Sequence, residues 1–446
     1  MVTTLALLGR LALAPVGAAQ QAPAPPTTSP MGAASSTSTS GRPLTIQQAE
    51  AIAIKNNPQI TVGRLQALEA REFVREARSA MLPQVGLSVT AVDSDPGSRI
   101  SAGYLTNPAV YPRAAAGASV SQLITDFGRT QNLVSSSVFT AKAQDENGVA
   151  TQQQIILAVD EAFYNTLETK ALLQVAEETV RARQNLVDQI QALTNAKLRS
   201  EIDLSFSKVD LARAKLLLLE SQNNYEASLS TLSAILAFPD RQDFAAVEPP
   251  AQTAPPAADP VPLIQEALNQ RPEVRARQND VTAASKFSKA EHDLWWPTVS
   301  ANGVVGSAPV RDDHISNWYG AVGVNINIPV FNGFLFNARA KSADLETEMK
   351  HKKLQDLQDN VARDVRNSWL DTQKAYERLS VTKQLREQAA LALELAGARY
   401  KLGLSSIVEF SQAELQETDA KLQDTDAHYQ YVLTQIMLAY QMGVTR

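Results

Sequence analysis

LSFSKVDLARAKLLLLESQNNYEASLSTLSAI, residues 204–235, carries a seven-residue rhythm: Leu204, Leu211, Leu218, Tyr225 and Leu232. Three positions on from each stand Ser207, Ala214, Ser221, Ser228 and Ile235. A seven-residue apolar repeat is the mark of helices supercoiled about one another, with a left-handed twist. Small residues at the alternate contact positions let the partner helix come close. Upstream, from about Thr130 to Lys197, there is no proline and only Gly148 interrupts. That stretch predicts a helix of roughly 100 Å at 1.5 Å per residue, far longer than a globular helix.

The same text occurs twice. Leu204, Leu211, Leu218, Tyr225 and Leu232 match Val408, Leu415, Leu422, Tyr429 and Ile436 at an offset of 204, and Lys197-Leu198 matches Lys401-Leu402. A second proline-free run, about Phe336 to Leu402, has Gly397 near its end. The openings match at an offset of 214: Asn57-Pro58 with Arg271-Pro272, and Leu82-Pro83 with Trp296-Pro297. The difference of ten residues then falls between Pro83 and the Phe127/Phe331 pair. Internal duplication sets the domain plan. Residues 44–238 and 263–446 each read as helix, two strands, then two long helices. Residues 20–43 and 239–262, rich in proline and small polar residues, read as linkers, the first of them disordered. Residues 1–19 read as a signal peptide: Leu5–Leu8 and Leu11–Val16 are apolar, and Gly17-Ala18-Ala19 offers a cleavage site.

The strands fall at about 83–123 and 297–331. Val85, Leu87, Val89 and Ala91 alternate with Gln84, Gly86, Ser88 and Thr90; Val322, Val324, Ile326 and Ile328 alternate with Gly323, Asn325 and Asn327. Period two with one apolar face is the strand pattern. After the N-terminus no window holds 18 consecutive apolar residues, so a membrane crossing requires a closed barrel. Four strands cannot close one, but three chains supply twelve. Trp295, Trp296, Trp318 and Tyr319 stand at strand ends, where an interfacial aromatic girdle would lie.

Composition narrows the function classes. The chain has 446 residues, 44% hydrophobic, 20% charged and 6% aromatic, with a net charge of -6. An acidic balance gives no support for nucleic-acid binding. The absence of cysteine excludes disulfides, thiolate metal sites, Cys nucleophiles and a lipid-modified Cys. No P-loop, dinucleotide fingerprint or H-E-x-x-H is present, and His292, His314, His351 and His428 are scattered. No catalysis and no cofactor are expected.

Three motifs, in order and duplicated, resemble the TolC family of outer-membrane efflux proteins over residues 44–443. They are LTIQQAEAIAIKNNPQI at 44–60, echoed by VPLIQEALNQRPEV; QLITDFGR at 122–129, echoed by IPVFNGF; and ARYKLGLSSIVEFSQAELQ at 398–416. The resemblance implies an α+β membrane protein of the Gram-negative outer membrane. Its homotrimer would form a twelve-stranded β-barrel embedded in outer-membrane lipid, continued by a coiled-coil periplasmic tunnel. A periplasmic adaptor (membrane fusion) protein and an inner-membrane pump would dock at the tip, making the chain the passive exit duct of a tripartite efflux or type I secretion system. The family's entrance tyrosine and glycine fall on Tyr400 and Gly403, and its first acidic position on Glu409. The basic turn position is Ser405 and the second acidic position Gln412, which removes one tie and one acidic ring. At the 204 offset the first repeat places Arg199 at the glycine position, with Glu201 and Asp203 beside it, and a charge link among these is expected to substitute. Among drug efflux, type I protein secretion and metal efflux, small-molecule efflux ranks first and protein secretion second; a soluble periplasmic coiled-coil scaffold is the reading from another class.

Overall fold

The computed structural model describes residues 42–93, 113–250, 255–308 and 316–444. The expected signal peptide and all but the last residues of the first linker lie outside the described residues. The first repeat runs β1 (Arg42–Leu44), α1 (Ile46–Asn56), α2 (Pro58–Ser79), β2 (Gln84–Val92), β3 (Arg113–Thr125), α3 (Arg129–Asn195) and α4 (Glu201–Ile235). The second runs β4 (Phe244–Ala246), α5 (Pro260–Gln270), α6 (Pro272–His292), β5 (Thr298–Ser307), β6 (Trp318–Asn327), α7 (Leu335–Lys401) and α8 (Ile407–Gln441). The opening helix of each repeat breaks at its proline. The Asn57 side chain accepts from Gln59 N at 2.9 Å and Pro58 starts α2, where a missing N–H costs nothing. Each linker segment contributes to a short strand: β1 pairs in parallel with β4, Arg42 facing Phe244. Leu44, Phe244 and Ala246 are buried there with Phe163 and Leu232, so these few apolar residues anchor otherwise polar linkers.

The long helices match in length: α3 and α7 have 67 residues each, α4 and α8 35 each. Arg129 and Leu335, and likewise Glu201 and Ile407, are 206 positions apart. The expected offset of 204 is therefore corrected by two residues. The backbone makes the same point: positive φ occurs at Lys197 and Gly403, and at Ala237 and Gly443. With this register the small seam Ser207, Ala214, Ser221, Ser228 corresponds to Ala413, Ala420, Ala427, Thr434, whereas Val408 and Leu415 are exposed. Gly148 does not interrupt α3. It lies where α2 crosses, its Cα 3.5 Å from the position a Cβ on Gly63 would take, so the two glycines permit close packing.

The four long strands form one antiparallel sheet in the order β2-β3-β5-β6. Directly opposed residues point to the same side, so the register fixes two faces. One carries Val85, Leu87, Val89, Val305, Val322, Val324 and Ile326, all exposed, Val322 at 92%. The other carries Ser88, Thr90, Ser119, Asn302, Ser300, Asn325 and Asn327. Among the described residues the outer strands β2 and β6 each pair on one side only. Trp318 shares the apolar face. Tyr319, grouped with it from sequence, faces the other way: the period of two turns it onto the polar face. There it opposes Gly306, and its hydroxyl lies 2.7 Å from where a Cβ on Gly117 would stand. Trp295 and Trp296 sit at the opposite end of β5, Trp296 stacked on Phe127 at 5.6 Å and Trp295 edge-on to Phe336 at 5.5 Å.

Candidate functional site at the helical tip

Both long hairpins reverse by the same device. Lys197 N donates to Thr194 O at 2.9 Å and Leu198 N to Leu193 O at 2.8 Å; Gly403 N donates to Tyr400 O at 3.0 Å and Leu404 N to Arg399 O at 2.9 Å. This pairing around a left-handed residue satisfies the last helical carbonyls. Gly403 adopts φ 75° without cost, while Lys197 holds φ 60° against its own Cβ. Ser200 then caps α4 and Ser406 caps α8, accepting from Ile202 N at 3.2 Å and Glu409 N at 3.3 Å. Glu201 and Asp203 occupy the first turn of α4 and Glu409 that of α8, where the helix dipole favours negative charge.

The two turns meet through Arg199. Its Nη2 donates to Tyr400 O at 2.7 Å, and its guanidinium lies 4.2 Å from the centroid of the Tyr400 ring. The expected charge link of Arg199 to Glu201 and Asp203 is thus replaced by a bond to the second hairpin. The Tyr400 ring also stacks on Phe410, with centroids 5.4 Å apart and planes 4° apart. Gly397 leaves room for this stack, since a Cβ there would meet Phe410 at 3.2 Å. Ile190 and Ile407 close the cluster, and Tyr400 is only 7% exposed. Burial pushes its phenol above the usual tyrosine range, with Arg199 opposing. The Tyr400 hydroxyl and the Ser405 hydroxyl are buried without a hydrogen-bond partner among the described residues. Glu409 lies 3.6 Å from Arg399 Nε, and Gln412 is exposed.

Sequence reasoning missed Phe410 and the polar crossing behind it. Arg183 on α3 pairs with Glu414 on α8, both nearly sealed from solvent, and Arg183 Nη2 donates to Thr418 Oγ1 at 3.3 Å. Burial raises the Glu414 carboxyl to about 7 against the pull of Arg183, helped by the nearby Asp210 and Glu417 carboxylates. Asp210 on α4 also accepts from Ser411 on α8. The signal was one of opposite charges in an otherwise small-residue stripe, legible only once α3 and α8 are set in register. Among the described residues no group of His, Asp and Glu side chains is placed to hold a metal, and no helix is long and apolar enough to cross a membrane.

The family model for outer membrane efflux protein matches residues 51–237 and 263–444, one match per repeat. The outer membrane protein TolC of Escherichia coli K12 is 23% identical over 407 residues, covering 87% of this chain and 80% of TolC. The cation efflux system protein CusC of Escherichia coli O157:H7 is 22% identical over 411 residues, covering 88% and 84%. Among solved structures, the Campylobacter jejuni CmeC outer membrane channel superposes with a TM-score of 0.75 at 16% identity, covering 90% of this chain and 85% of that one. Two matched repeats, a two-faced sheet with free edges and paired 67-residue helices agree, and this chain belongs to the outer membrane efflux protein family.

Proposed function

We propose that three copies of this chain form the outer-membrane exit duct of a tripartite efflux system, β2 of each copy pairing with β6 of the next. The observation that carries this is the bare apolar face of a sheet whose two edges are both open. In water such a face and such edges invite aggregation; closed into a barrel, the valines meet lipid and no edge remains. Trp318 at one end, and Trp295 and Trp296 at the other, then stand near the lipid boundaries. The polar face, with Asn302, Asn325 and Asn327, lines the lumen. The hairpins of roughly 100 Å cross the periplasm to an adaptor protein and an inner-membrane pump, which supplies the energy. A soluble scaffold has no use for the sheet. The duct carries small molecules ahead of proteins; TolC and CusC are matched almost equally, so identity does not choose among small cargos.

Single-channel conductance in a planar bilayer tests the reading. The wild type is expected to give a low, cation-selective conductance, and Glu409→Ser to raise it or to reduce the selectivity, because three Glu409 carboxylates ring the entrance. An unresponsive Glu409→Ser keeps the duct and moves the entrance elsewhere. Well-folded protein that neither conducts nor forms a detergent-stable trimer refutes the duct.

A further inference from the structure

Higher in the helical body a second polar crossing joins three helices. Glu168 of α3 is 8% exposed, deeper than a carboxylate normally sits unless it is paired. Its partner is another acid: Glu168 hydrogen-bonds Asp426 of α8, which accepts from Arg378 Nη2 of α7 at 2.7 Å. Two carboxylates in hydrogen-bond contact need a shared proton, since neither ionised oxygen can donate. The surroundings hold that proton on Glu168. Glu168 is buried away from water, and the Arg378 guanidinium pairs with Asp426.

We propose that Glu168 and Asp426 form a proton-operated clasp that ties α3 to α8 while Glu168 is protonated and lets this seam part when the proton leaves. The proposal rests on the duct reading only for its consequence: a parted seam frees the α7/α8 hairpin to move against α3/α4 and widens the path below.

The charges facing Glu168 determine the direction. From α8 come Asp426 and Tyr429, from α7 Arg378, and from the segment after β4 Glu248, which accepts from the Tyr429 hydroxyl at 3.3 Å and lies 3.6 Å from His428 Nε2. Burial first, then the bond to Asp426 and its charge, raise Glu168 to about 7; Arg378 works against them. Burial with Glu248 raises Tyr429 to about 12, so it stays neutral throughout. A carboxyl raised on folding binds its proton more tightly in the folded state, so its contribution is fullest below the ordinary value of 4.5 and is lost as pH climbs through about 7. The clasp therefore holds in acid and loosens on the alkaline side of neutrality.

A chain without cysteine can be labelled at chosen sites without background. Spin labels at Gln174→Cys on α3 and Gln430→Cys on α8, both exposed, read the seam in the purified protein by pulsed dipolar spectroscopy. The separation is expected to be short and narrow at pH 5.5 and longer or broader at pH 8.5. Glu168→Gln keeps a donor without a titrating proton and holds the short separation at both pH values; Asp426→Asn removes the repulsion and does the same. Glu414→Gln retains the full response. A wild type with identical separations at both pH values overturns the clasp. So does a response that survives Glu168→Gln, or one that Glu414→Gln abolishes, which would place the switch at Arg183–Glu414. Because the label needs no ion flow, a duct that fails to conduct leaves this test intact. Conductance rising with pH in the wild type, but not in Glu168→Gln, ties the clasp to transport.

Discussion

Lys197 and Gly403 are the same position in two copies of one turn, and they meet its geometry differently. Glycine takes φ 75° freely, whereas lysine at φ 60° sits against its own Cβ at a cost of about 1 kcal/mol. Lys197→Gly is therefore expected to raise the thermal stability of the folded protein by about that much, and Gly403→Ala to lower it by a similar amount. Thermal melts of the two variants beside the wild type measure both signs. The same pair explains what could be read from the residues. Tyr400 and Gly403 announce a turn because glycine is informative there. Lysine conceals its left-handed backbone, so the 204 offset puts the first turn two residues late, on Arg199. Val408, Leu415 and Ile436 reinforced that error by keeping step with the leucines at the wrong offset. Arg199 remains important for another reason, its bond to Tyr400 O, which only the fold brings within reach.

At the scale of elements, period located β2 and β6 and proline content the long helices, because these follow from local chemistry; β3 and β5, rich in alanine and glycine, take their place partly from the symmetry of the two repeats. Period two also fixes which side a residue takes, and it separates Trp318 from Tyr319. Two arginine substitutions on β6 put those sides to the test. Val322→Arg, in mid-strand on the apolar face, is expected to destabilise the membrane-inserted protein by about 2–4 kcal/mol, while Asn325→Arg on the polar face is tolerated. Urea unfolding from lipid vesicles compares them; equal losses would mean that the two faces do not divide lipid from lumen. The crossings between helices were not legible. Glu168 and Asp426 lie far apart in sequence and on different helices. Their contact depends on how α3 packs on α8, which no local pattern encodes.

At the scale of the whole molecule, one chain's sheet must find its neighbours through its two outer strands. If β2 pairs with β6 of the next copy, single cysteines along β2, each combined with one at Gly323 on β6, will cross-link in register. One or two positions among Gly86, Ser88 and Thr90, all on the polar face, should yield a covalent trimer on oxidation. Cross-linking that stops at dimers, or occurs equally at every position, would refute a closed ring. The duplication was visible in the amino-acid sequence, but the match of the two shafts to the residue was not, since the register error hid it. That match limits how the gene can change. The two turns of a chain are level because α3 equals α7 and α4 equals α8 in length. Residues gained in one shaft would leave its turn overshooting the other, and Arg199 would part from Tyr400. Insertions and deletions in these helices must therefore be inherited as matched sets, the same number in all four. The two halves of the gene can drift in composition, as lysine and glycine have at the turns, but they must keep a common length.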